Sequence, residues 1–323
     1  MKLSLKQKIL RELEASRSDD LSGQVIAQRL GVSRSAVWKA VNTLRREGYP
    51  VLSATNRGYR LAEGADVLSA EGIRMELTGR AAAMPVFYYP TIDSTNDEAK
   101  RRLAAGQTGD ALIVADSQTA GRGRGGHSFY SPRTGAYMTL ILHPEQSLAD
   151  TVCITLAAAV AVTRTIEALT DRKPQIKWVN DILLDGRKMA GILTEAVTGF
   201  EERRVESVIV GIGLNIRTTD FPAEIRNTAV ALEPRGVTRS RLVAGIASRL
   251  VELTSDLAER SFLADYRAHS VVLGRRVHFV QNGRLREAVA VAVDRDGGLV
   301  VEDEAGGRQT LRSGEVSVRL DAD

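Results

Sequence analysis

A chain of 323 residues, 43% hydrophobic and 26% charged, is long and apolar enough for two or three domains and has the composition of an ordinary soluble protein. Its single cysteine, Cys153, excludes an intramolecular disulfide framework and fits a reducing compartment. The net charge of +4 is unevenly spread: residues 22–60 hold Arg29, Arg34, Lys39, Arg45, Arg46, Arg57 and Arg60 against Glu47 alone, a local +6 that leaves −2 elsewhere. Such a concentrated basic field points to a nucleic-acid partner for that end of the chain. The N-terminal Met-Lys-Leu-Ser-Leu-Lys has no signal-peptide core behind it, and no apolar run reaches the roughly 20 residues that cross a bilayer. A cytoplasmic protein with no membrane partner is expected.

In chain order, three helices come first. Ser4 can cap one with Leu5, Ile9, Leu10 and Leu13 on its apolar face, and Ser22 can cap a second carrying Val25, Ile26 and Leu30. Gly31 breaks the second, and Ser33 can cap a third in which Val37, Val41 and Leu44 face inward. This spacing predicts a helix-turn-helix whose third helix can enter the major groove. Arg34, Ser35, Trp38, Lys39 and Asn42 are its candidate DNA contacts, and Asn56-Arg57-Gly58 reads as the tip of a hairpin wing that adds Arg57. After a polar linker at 63–69, strand candidates (Val86–Tyr89, Ala111–Ala115, 137–142, 192–196, 208–213) alternate with helix candidates (Thr95–Ala104, Thr151–Leu169, 239–257), an α/β or α+β pattern. Cys153 falls on the second of these helices, in an apolar setting that predicts a buried, inert thiol. From Val271 the turn signals Asn282-Gly283, Asp296-Gly297-Gly298, Gly306-Gly307 and Ser313-Gly314 punctuate short strands, a small β-barrel or sandwich. The expected domains are therefore 1–64, 65–270 and 271–323, an α+β chain as a whole.

Five segments of the middle domain carry chemistry. Ser94-Thr95-Asn96 opens a helix after a strand, where amides and hydroxyls serve either as an N-cap or as a seat for a polar group. Gln118-Thr-Ala-Gly-Arg-Gly-Arg-Gly-Gly126 packs four glycines and two arginines into six residues. Read alone, it is either a basic surface loop or a cover for an anion, since glycine bends freely and arginine suits phosphate or carboxylate oxygens. Its spacing is neither that of a Walker loop nor that of a dinucleotide fingerprint. Lys177-Trp-Val-Asn-Asp181, Gly186-Arg-Lys-Met-Ala-Gly-Ile192 and Gly211-Ile-Gly-Leu-Asn215 complete the set, the last allowing close approach of another backbone or a ligand. The four histidines are scattered without metal-ligand spacing, no protein metal site is expected, and no covalent nucleophile stands out.

Together and in this order, these segments resemble the biotin protein ligase family, and the resemblance runs over essentially the whole chain. The basic N-terminal unit and small C-terminal β domain are similar to the bifunctional bacterial type, at once a biotin–[acetyl-CoA-carboxylase] ligase and a repressor of the biotin operon. The resemblance implies a winged helix-turn-helix, a central mixed-sheet domain of class II synthetase-like kind, and an SH3-like C-terminal β-barrel. It implies a two-step reaction in which ATP, with Mg²⁺, converts biotin to biotinyl-5′-AMP, and a lysine of biotin carboxyl carrier protein then displaces AMP. By position it assigns biotin contacts to Ser94, Thr95, Asn96, Gln118, Arg122, Gly123, Arg124 and Lys188. Adenylate contacts fall on Gly121, Lys177, Asn180 and Asn215. Arg122, Arg124 and Lys188 become the charge-stabilising catalytic groups, and Asp181 the candidate to orient or deprotonate the attacking amine. Operator DNA and a homodimer are the further partners implied. The chain has Val179 where relatives commonly carry proline, and Gly125 where many carry another basic residue. A lipoate or octanoate ligase relative, or a biotin sensor without catalysis, are the competing readings.

Overall fold

The computed structural model describes residues 3–17, 19–54, 57–143, 151–198, 205–281, 284–312 and 319–320. The chain divides into two compact units: residues 1–76 with 236–241, and residues 77–235 with 242–323.

The first unit holds α1 (Leu5–Ala15), α2 (Gly23–Leu30), α3 (Arg34–Arg46) and the antiparallel pair β1 (Val51–Ala54) and β2 (Gly58–Leu61), followed by α4 (Ala70–Glu76). Serine side chains start each of the first three helices. Ser4 accepts from the Gln7 amide while Gln7 reaches back to the Ser4 amide, and Ser22 and Ser33 accept from Gln24 and Ala36. Gly31 ends α2 in the left-handed region at φ 65°. Ile9, Leu13, Ile26, Val37, Val41 and Leu44 meet in one core. Val25 does not join it and is exposed, because only one stripe of so short a helix can face α3. Arg239 and Ser240 belong here too: the Arg239 amide donates to Asp66 Oδ1 at 2.6 Å and Ser240 Oγ donates to Val67 O at 3.0 Å. Asn56 of the expected wing tip lies outside the described residues.

The second unit is built on a mixed seven-stranded sheet. Its strands are β3 (Val86–Tyr89), β4 (Ala111–Ala115), β5 (Ala136–Leu142), β6 (Gln175–Lys177), β7 (Asp181–Leu184), β8 (Arg187–Thr198) and β9 (Val205–Leu214), in the order β3-β4-β5-β9-β8-β7-β6. Only β3 and β4 run parallel. They are joined by α5 (Thr95–Ala104), the crossover that parallel pairing requires. β4 and β5 are buried throughout, which explains a sequence apolar but for Thr139. α6 (Thr151–Leu169), α8 (Leu263–His269) and, from Leu242 onward, α7 (Arg239–Ser255) complete its helices. Contrary to the expectation from sequence, α6 is long and apolar enough to span a bilayer, but it is buried without a break from Cys153 to Thr163 and packs on β8. Cys153 is buried, as its apolar setting predicted.

The C-terminal strands β10 (Arg276–Gln281), β11 (Arg284–Val293), β12 (Leu299–Glu302), β13 (Arg308–Leu311) and β14 (Arg319–Leu320) form an antiparallel sheet in the order β13-β12-β11-β10-β14. At the Asp296-Gly297-Gly298 turn, Asp294 Oδ1 accepts from the amides of Asp296 and Gly298. Trp178 Nε1 donates to Gly297 O at 3.0 Å, tying the same turn to the β6–β7 connection. The Asn282-Gly283 and Ser313-Gly314 turns lie outside the described residues.

Candidate active site

The site starts from strand register. Across β5, β9 and β8, Thr139, Gly211 and Leu193 form one row, and Tyr137, Gly213 and Gly191 form the row two residues along, on the same face. One side chain sits on each row. Asn96 rests on Gly211, where any Cβ would collide with its Oδ1, and it takes Thr139 Oγ1 at 2.7 Å. Phe129 rests on Gly213, where a Cβ would come within 2.5 Å of its ring, and it meets Tyr137 edge-on with centroids 6.3 Å apart. The glycines that the sequence marked for close approach therefore admit two side chains of this chain.

Ser94 caps α5, its Oγ accepting from the Asp97 amide at 3.4 Å. Asp93 fixes the approach by accepting from the Ser94 amide at 2.7 Å and from both Arg101 nitrogens at 2.8 Å. That bidentate Arg101 contact is the main reason its carboxyl falls to a pKa of about 2. Thr95 donates to Gln118 Oε1 twice, from its amide (2.8 Å) and its hydroxyl (3.0 Å), and Gln118 Nε2 donates to Ser131 Oγ at 3.1 Å. Asn96 Nδ2 donates to Glu195 Oε2 at 2.8 Å, and Glu195 Oε1 pairs with Lys100 at 2.7 Å. Thr139, Ser131 and Glu195 were not marked by sequence; only register and folding bring them to Asn96 and Gln118.

The glycine–arginine segment is a small hairpin. Phe129 donates to Gly121 O at 2.9 Å and Gly123 to His127 O at 2.7 Å, and the tip turns through Gly125 (φ 63°) and Gly126 (φ 81°). Side chains there would cost about 1 kcal/mol or more each. Arg122 Nη2 lies 2.9 Å from Asp97 Oδ2. Arg124 Nη1 donates to Asn180 Oδ1 at 3.1 Å, and Asn180 in turn donates to Ile192 O at 2.9 Å. Burial pushes the half-buried Arg124 guanidinium below its ordinary pKa, with Asp181 acting in the opposite sense. Lys188 Nζ pairs with Asp181 at 2.7 Å and lies 5.9 Å from the centre of the Phe129 ring.

Ser94, Thr95, Asn96, Gln118, Arg122, Gly123, Arg124, Asn180 and Lys188 thus converge on one cleft of about 460 Å³, counting space open to solvent, and Phe129, Tyr137 and Gly191 line it with them. Three cations share its walls with amide and hydroxyl groups, the few convergent polar groups of a small-molecule site. The remaining candidates are not part of this lining. Gly121 supports the loop from behind, packed against Phe129 O and Ser131 Oγ. Lys177 ends β6 opposite Asp181, across a turn whose Trp178–Val179 peptide is cis. Asn215 is buried, its amide donating to Met189 O at 2.9 Å and its Nδ2 to Lys188 O at 3.4 Å, so it fixes the Lys188 backbone.

On the first unit, Arg34, Ser35, Trp38 and Lys39 are all exposed on α3, with Trp38 at 56%. Asn42 is half-buried and accepts from Arg45; Arg57 is exposed beside β2. An exposed indole among cations, on a helix started by Ser33, suits a groove-reading helix.

Family models match residues 88–215 (Biotin/lipoate A/B protein ligase family), 6–60 (HTH domain) and 272–319 (Biotin protein ligase C terminal domain). The bifunctional ligase/repressor BirA of Bacillus subtilis (strain 168) is 40% identical over 235 residues, covering 72% of each chain. The protein of that name from Escherichia coli (strain K12) is 30% identical over 307 residues, covering 91% of this chain and 94% of its own. Among solved structures, the biotin protein ligase from Aquifex aeolicus in complex with biotin and ATP superposes with a TM-score of 0.63 at 25% identity, over 73% of this chain and 99% of that one. The chain belongs to the biotin protein ligase family and is of the bifunctional ligase/repressor type.

Proposed function

We propose that the cleft activates biotin with ATP to biotinyl-5′-AMP and passes the biotinyl group to a lysine of a biotin carboxyl carrier protein. One observation carries the assignment to these residues: Arg122 and Arg124 of one loop and Lys188 of a distant one line the same cleft as Ser94, Thr95 and Gln118. The reaction needs both kinds of group. A neutral ring system seats on amides and hydroxyls, while a carboxylate must approach a triphosphate against the repulsion of two anions. The biotin carboxylate is the nucleophile at the α-phosphorus, and pyrophosphate leaves. Arg122, Arg124 and Lys188 hold the two anions together and stabilise the charge gathering on the phosphate oxygens. In the second step a carrier lysine attacks the mixed anhydride and AMP leaves. Asp181 is the carboxylate placed to orient that amine once Lys188 has turned to the ligand.

Among the described residues, no group of three or more His, Cys, Asp or Glu side chains is placed to hold a metal ion. The cleft's donor set is cationic and amide-rich, so it does not fit a protein-held Mg²⁺. The ion belongs to the nucleotide phosphates, whose charge it lowers.

The Gly121–Phe129 hairpin covers the adenylate and keeps water from it. The exposed face of α3 binds the operator of biotin genes, the protein acts in the cytoplasm as a homodimer, and the three domains run 1–64, 65–270 and 271–323. Biotin-dependent exchange of labelled pyrophosphate into ATP tests the first step. Exchange is expected with the wild type, and its absence from folded protein would contradict the reading.

A further inference from the structure

Position alone makes Asn96 a biotin contact, yet its amide is already spent. Nδ2 donates to Glu195 Oε2 at 2.8 Å and to Leu193 O at 3.4 Å, and Oδ1 takes Thr139 Oγ1 at 2.7 Å while lying flat on Gly211. An amide has two donor hydrogens, and both point into the protein. Asn96 is buried at 5% exposure, and Thr139 is completely buried. Glu195 is neutralised on its other oxygen by Lys100, 2.7 Å away, so the carboxylate is a fixed acceptor.

We infer that Asn96 is a positioning residue. Held by Glu195 and Thr139, it pins the first turn of α5 to β8 and β5, so that the Ser94 hydroxyl and the Gln118 amide, which Thr95 holds at Oε1, face the biotin ring system. Thr139 Oγ1 also lies 2.8 Å from Thr95 Oγ1, so the same buried hydroxyl touches both neighbours. Lys100 and Glu195 thereby act on ligand affinity without lining the part of the cleft where the ligand sits. The inference rests on the proposed biotin site and corrects the role of one of its residues.

An amide–acid exchange tests it. Asn96→Asp places a second carboxylate against Glu195 and removes both donors. Two carboxylates at hydrogen-bond distance cannot both ionise comfortably. The affinity for biotin should fall about tenfold or more, a loss of at least one buried charge-assisted hydrogen bond. The KM for ATP should stay within about twofold, because the lesion lies beside the Ser94–Thr95 turn that the proposed function gives to the biotin ring. Lowering the pH should recover part of the biotin affinity, as one of the two facing carboxyls takes a proton beside Lys100; Asp97, 3.8 Å from Lys100, is the other acid there.

The double variant Asn96→Asp with Glu195→Gln restores the pattern. The new carboxylate accepts from Thr139 and from the new amide at position 195, whose carbonyl accepts from Lys100. Biotin affinity should return to within about threefold of wild type, and the melting temperature should recover in parallel. If Asn96 instead donates to the ligand, the exchange cannot rescue, because position 96 no longer carries a donor. A folded double variant as weak as Asn96→Asp would therefore overturn the inference, as would an Asn96→Asp variant that binds like wild type. Should Asn96→Asp fail to fold, the double variant alone decides between these outcomes, with Thr139→Ser as a check that the row tolerates a smaller hydroxyl. Wild-type protein that takes up no biotin would contradict the proposed function, whereas the melting-temperature cycle would still report on the pin.

Discussion

Lys188 Nζ stands 2.7 Å from Asp181 Oδ1, so the lysine that faces the cleft is already paired with a carboxylate behind the lining. That carboxylate also faces Arg124 and the fully buried Tyr266, whose phenol is pushed well above its ordinary pKa by burial and then by Asp181. One negative charge therefore sits where two cations converge, and an incoming phosphate or carboxylate must compete with it. Lys188→Met, which keeps the stem and removes the charge, should slow biotin-dependent pyrophosphate exchange by about 10²–10³, the usual cost of losing one charge-stabilising group. A rate within threefold of wild type in folded protein would remove Lys188 from the mechanism.

Arg124 is half-buried and bonded to Asn180, so it shapes the closed hairpin as well as the charge of the cleft. Arg124→Ala should leave biotin binding measurable and shorten the retention of biotinyl-AMP about tenfold or more, in keeping with one charge-assisted hydrogen bond. Release of the intermediate from single-turnover mixtures reads this directly. Equal lifetimes in variant and wild type would sink that role.

Gly213→Ala is a steric test of the site. Its Cβ would come within 2.5 Å of the Phe129 ring, and Tyr137 on the other side of the row limits retreat. We expect about 1–3 kcal/mol of destabilisation and a larger proportional loss of biotin affinity, since Phe129 must move into the cleft. Gly126→Ala meets no atom within 4 Å but requires a side chain at φ 81°, so it should cost about 1 kcal/mol and act on loop closure alone. Denaturant midpoints and biotin titrations separate the two.

These glycines show how far the sequence could be read. The serine caps, Gly31, the inward face of α3 and the alternation of strands and helices are local signals, and the fold follows them. Gly211 and Gly213 were legible as places of close approach, but what approaches them is set by register across β5, β9 and β8. That register is why Thr139, the one hydroxyl-bearing aliphatic position of an otherwise apolar strand, and Glu195, within a β8 stretch that reads as an ordinary strand, escaped notice. It is also why Asn96 and Asn215 looked alike as candidate contacts: both amides are engaged by the protein itself. Val25, on α2 as expected, is exposed for a simpler reason. On an eight-residue helix, three neighbouring apolar positions cannot all face one partner.

The Asp93–Arg101 pair gives a pH signature. Asp93 has a folded pKa of about 2, below its ordinary 3.8, so its contribution is present above the unfolded value and is lost as pH falls through the folded one. Both side chains are half-exposed, so the effect is small. Arg101→Met should lower the melting temperature slightly at pH 5, and the difference should shrink between about pH 4 and pH 2. A difference that grew with acidification would contradict the assignment.

On the first unit, Lys39→Ala should weaken operator binding alike for all sequences and lower the salt slope by about one, while Trp38→Ala should relax sequence preference. Removing residues 1–64 should abolish DNA binding and spare ligation. Some stability should go with them, because Leu68 and Ile73, both buried, pack within the same unit.

The most direct test of the central claim is the mass of a folded biotin carboxyl carrier domain after incubation with this protein, biotin, ATP and Mg²⁺. The account predicts a gain of one biotinyl group on a single lysine, dependent on ATP and lost with Lys188→Met. An unchanged mass with both proteins folded, or a gain that persists without ATP, would contradict it.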